Sequence, residues 1–220
     1  MPRTNRVVSG DVAYHVLNRA WGRRRIFSSA FEYQQFIQVV QEALRRFPEM
    51  RILSYCLMPN HWHLVLLPLV YGLLSDFMQW VEATHTARWN RDHDRVGQGG
   101  IYQGRFKSFP IEDGDHLANV MRYVERNALE ARLVRSAEQW HWGSLHYRPV
   151  DPSPAIALAC PFVLGEIPWM TPAEWIDHVN TPLATSVRMP LKQCELTGEP
   201  FGSESFKARF TERVPRNAPH

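Results

Sequence analysis

Two stretches of this chain carry side chains whose types and spacing could do chemistry. The first is Met58-Pro59-Asn60-His61-Trp62-His63-Leu64-Val65-Leu66-Leu67. It has the make-up of a short buried strand, on which side chains alternate between faces. His61 and His63 therefore point the same way, with Val65 and Leu67, while Asn60, Trp62, Leu64 and Leu66 take the other face. Apolar residues on both faces predict a central strand covered on both sides. A neutral imidazole is the commonest side-chain metal ligand, and an alternate pair sets two of them together on a rigid element. Two hydrogen-bonded core histidines fit the same pattern, so the pair alone does not choose.

The second stretch runs from Leu117 to Leu133. Asp113 is its expected N-cap, with Asp115 in the first turn. Leu117, Val120, Met121 and Val124 make one apolar stripe of a helix. Tyr123 and Asn127 lie four apart, so they are neighbours on the helix surface. At about 100° per residue they fall on the border of that stripe, as does His116. A tyrosine on such a border is ordinarily a packing residue, and His116 a surface one. If this edge meets the sheet beside His61 and His63, the ensemble becomes two imidazoles, an amide oxygen and a phenol. A divalent ion so held keeps open positions for a phosphate and neutralises developing charge. The phenol can then attack phosphorus to give a covalent phosphotyrosine, with a 3′ hydroxyl leaving. The adduct keeps the bond energy, so the step can reverse and join strands without a nucleotide cofactor.

The other elements must bring these stretches together. Residues 7–17 alternate as a first strand, with Val12, Tyr14 and Val16 on one face and Ala13, His15 and Leu17 on the other. A loop with Arg19, Arg23, Arg24 and Arg25 follows; a solvated turn and a phosphate-binding loop stand level. Phe31 to Phe47 is predicted helical and stopped by Pro48. Arg51 to Leu57 is a strand, paired with the histidine strand through the Pro59-Asn60 turn. Leu73 to Asn90 is a second helix, in which Met78 and Trp89 pack. Ile101 to Pro110 is a last strand, with Arg105 and Lys107 opposite Phe106; it suits a single-strand binding surface or a charge-guarded edge. Strand, helix, strand, strand, helix, strand is the ferredoxin-like order, hence an α+β fold with an antiparallel sheet. That fold also hosts RNA-binding modules, so it does not settle function.

Composition sets bounds. The 220 residues suffice for one domain with an appendage or for two small domains, and 45% hydrophobic residues for a real core. Met1 to Arg6 leads into no apolar run, so no secretory signal is expected. The apolar run Leu64 to Leu74 is broken by Pro68, so no membrane span is expected. Cys56, Cys160 and Cys194 form no Cys-x-x-Cys pair, which suits a reducing cytoplasm. Residues 1–150 hold 19 Lys+Arg against 14 Asp+Glu, and residues 151–220 hold 6 against 8. Lys107, Lys192 and Lys207 are the only lysines. An arginine-rich, mildly basic first part is compatible with nucleic acid.

With both stretches in view, the sequence resembles the HUH single-strand endonucleases, and among them the REP-associated tyrosine transposases. The resemblance rests on Met58-Pro59-Asn60-His61-Trp62-His63, on Gly104-Arg105-Phe106-Lys107-Ser108, and on Leu117 through Tyr123-Val124-Glu125-Arg126-Asn127 to Leu133-Val134. His15-Val16-Leu17-Asn18-Arg19 and Trp140-His141-Trp142-Gly143-Ser144-Leu145 add to it, and Pro200-Phe201-Gly202-Ser203 adds weakly. It implies that His61, His63 and Asn127 hold Mg²⁺ or Mn²⁺, that Tyr123 is the nucleophile, and that the substrate is single-stranded DNA beside a palindromic, REP-like hairpin. Arg23, Arg24, Arg25, Arg105, Lys107, Arg122 and Arg126 are then the expected phosphate contacts. A monomer is favoured, although related transposases can place the tyrosine helix on a partner subunit of a homodimer. Departures stand after the catalytic asparagine: Ala128 replaces a usual Pro, and Glu130 and Arg132 stand where Arg and Gly are commoner.

Residues 1–148 are thus read as the catalytic domain and 149–220 as a C-terminal extension. In the extension Pro149 to Pro168 reads as a proline-rich linker. Thr171-Pro172-Ala173-Glu174 starts a short helix to about Asn180, and Glu204 to Arg213 makes another. The extension could cover the site, read the hairpin or simply pack. Two rival functions remain: a non-catalytic single-stranded nucleic-acid-binding module, and a metal phosphodiesterase that uses water.

Overall fold

The computed structural model describes residues 10–148, 161, 162, 164, 165, 167 and 170–211. Residues 1–9, most of the predicted linker including Cys160, and residues 212–213 of the last expected helix lie outside that range. Four strands, β1 (Ala13–Arg19), β2 (Met50–Met58), β3 (His61–Pro68) and β4 (Lys107–Ile111), form one sheet in the order β2-β3-β1-β4. All neighbours are antiparallel. Helices α1 (Ala30–Arg46) and α2 (Leu73–Asp92) lie on one face, and α3 (Asp115–Glu130) on the other. This is the expected α+β ferredoxin-like arrangement. β4 is shorter than predicted: it starts at Lys107, and Arg105 precedes it in irregular chain.

Local chemistry explains the boundaries. Ser29 and Glu32 form a capping box at the start of α1. The chain leaves that helix at Phe47, before Pro48. At α3 the N-cap position is Gly114, not Asp113, whose carboxylate accepts the Gly114 N–H at 2.8 Å. Asp115 does open the first turn.

Among its described residues the extension adds three helices, α4 (Pro172–Asn180), α5 (Thr185–Thr197) and α6 (Glu204–Thr211). Thr171 and Glu174 box the start of α4, with Pro172 at its first position. The chain after α3 also covers both sheet edges. Gly143 and Leu164 bridge to Cys56 and Ile52 of β2, and Phe201 bridges to Ile111 of β4. Covered edges cannot template pairing with other chains. Beneath lies buried Glu125 of α3, which accepts hydrogen bonds from Ser144 Oγ (2.5 Å), Arg148 Nε (3.0 Å) and Trp175 Nε1 (2.6 Å). One carboxylate thus ties α3 to α4 and to the segment over β2.

Candidate active site

Register fixes what the α3 face displays. Arg19 pairs with His61, Leu17 with His63 and His15 with Val65 between β1 and β3, while Lys107 and Phe109 of β4 lie opposite Leu17 and His15. Directly opposed residues share a face, and diagonal neighbours remain within side-chain reach. His61, His63, His15, Arg19 and Lys107 therefore crowd one patch. The His61 and His63 rings are 5.1 Å apart, and those of His15 and His63 stack at 5.1 Å with a 2° interplanar angle. Tyr123 comes down from α3 with its ring 6.1 Å from His63 and 6.2 Å from His15, edge-on to both.

The hydrogen bonds define tautomers. The Asn60 amide donates to the Arg23 carbonyl at 3.2 Å, which turns its oxygen toward His61 Nδ1 at 2.6 Å. His61 then donates from Nδ1 and keeps its Nε2 lone pair. His15 Nε2 and His63 Nδ1 are 2.9 Å apart, so one donates to the other. If His63 donates, His15 presents Nδ1–H to Glu195 Oε1, 3.7 Å away, and His63 Nε2 keeps a lone pair. The reverse would aim a lone pair at a carboxylate, so electrostatics favours the first arrangement. Both His15 Nδ1 and Glu195 Oε1 are closed to solvent and have no hydrogen-bond partner.

Burial sets the protonation states. It holds His15 down to about 3 and, with the Arg19 charge, His61 down to about 4; His63 lies well below its ordinary value. All three rings are neutral at pH 7, the state in which nitrogen binds a metal. The 3.7 and 3.9 Å approaches of Glu195 to His15 and His63 are then polar contacts, not ion pairs. Burial, and next the Glu195 charge, raises the Tyr123 phenol above its ordinary value. Glu195 is pushed up by burial to about 7.

Glu195 is the residue that sequence reasoning missed. It sits on α5 and its Oε2 accepts the Tyr123 O–H at 3.3 Å. Pro190 lies inside α5, and a mid-helix proline is the usual sign of a break. His15 stands out in the sequence only as a strand residue and as part of the His15-to-Arg19 stretch of the resemblance, with no role assigned to it. His15, His63 and Glu195 offer ligand atoms within 4.8 Å of one another. An ion that used the two nitrogens now bonded to each other would have to break that bond.

The other expected residues divide. Asn127 donates its amide to the Tyr123 carbonyl, 3.1 Å away on its own helix. Arg23, Arg24, Arg25, Arg105 and Lys107 are exposed. Arg122 and Arg126, expected on DNA phosphates, are instead clamps for the extension. Arg122 donates to the carbonyls of Thr181 and Pro182, and Arg126 to those of Val179 and Asn180. The physical reason is that α4 and α5 cover the outer side of α3, and cations at the carbonyl end of a helix are favourable. Glu130, a departure from the family pattern, pairs with Arg188 of α5 at 2.7 Å. Arg132 stands at φ 58, where a glycine is the natural residue. His116 is a surface residue against Phe201, ring to ring 5.3 Å.

Among solved structures, a REP-associated tyrosine transposase bound to a REP hairpin superposes with a TM-score of 0.57 at 15% identity, over 84% of this chain and all of that one. At that identity the match speaks to fold. A chain described as a candidate transposase from Deinococcus radiodurans R1 has a TM-score of 0.39 at 14% identity, over 56% of this chain and 96% of its own, too low to add to the argument. No curated protein sequence matches. No helix among the described residues is long and apolar enough to cross a membrane. The sequence profile of the IS200-like transposases matches residues 8–127, which take in the histidine strand and end on the asparagine of the tyrosine helix. The match spans more than half of the sequence, and the chain belongs to the IS200-like transposase family.

Proposed function

We propose that the chain is a metal-assisted endonuclease and strand transferase for single-stranded DNA beside a palindromic, REP-like hairpin, with Tyr123 as nucleophile. The observation that carries this is convergence. The phenol of α3 meets the β3 imidazoles on one face of one sheet, with 6.1 Å between the Tyr123 and His63 rings. The REP hairpin held by the solved structural neighbour supports the choice of substrate.

Tyr123 Oη attacks phosphorus, the bond from phosphorus to the 3′ oxygen breaks, and a 5′-phosphotyrosine and a free 3′ hydroxyl result. The phenolic proton passes to Glu195 Oε2, the acceptor placed for it, and the departing 3′ oxygen takes its proton from water. Attack by a 3′ hydroxyl on the phosphotyrosine reverses the step and joins strands. Arg19 and Lys107, on the same face as His61 and His63, bind the phosphate's charge. Exposed Arg23, Arg24, Arg25 and Arg105 hold neighbouring phosphates.

The donor set fits a divalent cation. His61 Nε2 and His63 Nε2 have their lone pairs, and Glu195 Oε1 is buried and unpartnered. Asn127 would join through its carboxamide oxygen. Such an ion supplies Lewis-acid polarisation of the phosphate oxygens. Mg²⁺ prefers oxygen ligands and an imidazole-rich site suits later metals better, so Mn²⁺ should serve as well as Mg²⁺. The meeting of histidines and tyrosine within one chain supports a monomer as the acting unit. Residues 1–148 form the catalytic unit, and residues 149–220 complete it with Glu195.

The test is a labelled hairpin oligonucleotide with Mn²⁺, examined for an adduct that survives denaturation. The wild type forms it, and Tyr123→Phe lowers it by roughly 10³-fold or more, the scale of losing a nucleophile. An adduct retained by Tyr123→Phe would overturn the assignment. Plain hydrolysis would indicate the phosphodiesterase, and binding without cleavage the non-catalytic module.

A further inference from the structure

Beyond β1 the chain makes a tight turn, Trp21–Arg23, with Gly22 at φ 64 and Arg23 at φ 57. The turn is pinned on both sides. Trp21 N–H donates to the Ile101 carbonyl at 2.9 Å, while the N–H groups of Ala20 and Ile26 donate to the carbonyls of Asn60 and Pro59, each at 2.9 Å. It is therefore fastened to the same Pro59-Asn60 turn that introduces His61. On this rigid base the Trp21 indole is 60% exposed. Isolated exposed apolar side chains are normal on proteins. Here, however, the three residues after Gly22 are exposed arginines, and the Arg24 guanidinium lies 5.5 Å from the indole centroid.

Trp21 also walls a cleft of about 270 Å³ with Arg24, Arg95, Gln98, Gly100 and Ile101. In the same residue set, Arg95 Nε is shut off from solvent and has no hydrogen-bond partner. That nitrogen is not itself open to the cleft, but the Arg95 side chain lines it together with Arg24, so the space is rimmed by positive charge. The contents that would satisfy every part are an anion joined to a flat, apolar ring.

We propose that this cleft binds one unpaired nucleotide of the DNA strand, its base stacked on Trp21 and its phosphate held by Arg24 and Arg95. The inference rests on the single-stranded DNA reading above and gives it a specific contact. The Gln98 carboxamide offers a donor and an acceptor to the base edge. Arg19 pairs with His61, and Trp21 lies two residues further on, so the stacked base belongs to a nucleotide close to the scissile phosphate.

The test uses the full chain without divalent metal, so that no strand is cut. The probes are a blunt hairpin and hairpins whose single-stranded flank carries 2-aminopurine at one unpaired position after another. The wild type should quench one position, and Trp21→Ala should restore its fluorescence. Trp21→Ala should also weaken binding of the flanked hairpin roughly 10- to 100-fold, the usual worth of one stacked base. The blunt hairpin should bind as before, and Trp21→Phe should keep most of the affinity. Unchanged affinity of Trp21→Ala for the flanked hairpin, or an equal loss for both DNAs, would overturn the proposal. Failure of the wild type to bind any of these DNAs would overturn the DNA reading itself, and the stacking site with it.

Discussion

Trp62 and His63 are adjacent on β3 and face opposite sides of the sheet. Toward α1 and α2, the indole N–H of Trp62 donates to the Tyr102 hydroxyl at 3.0 Å, and that hydroxyl is hydrogen-bonded to His85 Nδ1 at 2.6 Å. This histidine is a core residue among Phe27 and Phe36, with its Nδ1 bonded to that hydroxyl. Toward α3, His63 meets His15, whose second nitrogen has no partner, and beyond it a carboxylate oxygen that has none either. Both faces bury imidazoles to a similar depth. Burial alone therefore does not mark a reactive histidine; donors and acceptors left open do. The proposed function occupies one face of a strand whose other face packs against α1 and α2.

Trp62→Ala and His63→Ala should separate the two faces most sharply. Trp62 is fully buried, so its truncation should cost about 3–5 kcal/mol by chemical denaturation. His63→Ala should leave the fold and most DNA affinity in place, because affinity comes largely from phosphate contacts, while cleavage falls to background. Equal loss of binding and cleavage by His63→Ala would show that this histidine too is structural.

The sequence reveals the two faces unevenly. Alternation in β3 and the helical spacing around Tyr123 are local patterns, and they place the expected residues on the right elements. The ferredoxin-like order was legible for the same reason. What the sequence conceals is what the extension covers. Whether Arg122 and Arg126 face solvent or carbonyls depends on α4, which lies more than forty residues downstream. Glu195 was hidden behind Pro190, which makes one continuous helix look like two fragments. His15 reaches His63 only through strand order, and no local spacing encodes that.

A smaller effect should probe the open side. If His15 fixes the tautomer of His63, His15→Ala should weaken Mn²⁺ binding about 10- to 100-fold, the usual worth of a residue that orients a metal ligand. His15→Gln, whose amide oxygen can still accept from His63 Nδ1, should recover much of it. The readout is free Mn²⁺ by electron paramagnetic resonance, which does not depend on turnover. Unchanged affinity in His15→Ala would make the His15 contact mere packing.

Near neutral pH the smallest effect belongs to the His85 side. Burial lowers His85 to about 3, so its ring is neutral in the folded chain above that pH, with Nδ1 hydrogen-bonded to the Tyr102 hydroxyl. Unfolded, it titrates near 6.5. Between these values the unfolded chain binds the extra proton, so stability rises with pH there and is lost as pH falls from about 6.5 toward 3. One such group contributes a slope of about 1.4 kcal/mol per pH unit. His85→Phe keeps the aromatic contacts and removes that slope, at the cost near neutrality of a single hydrogen bond, about 1 kcal/mol. Denaturation midpoints measured across acidic pH should therefore fall less steeply in the variant than in the wild type. Parallel curves would mean that His85 is already charged in the folded chain, and the contrast between the two faces would lose its His85 side.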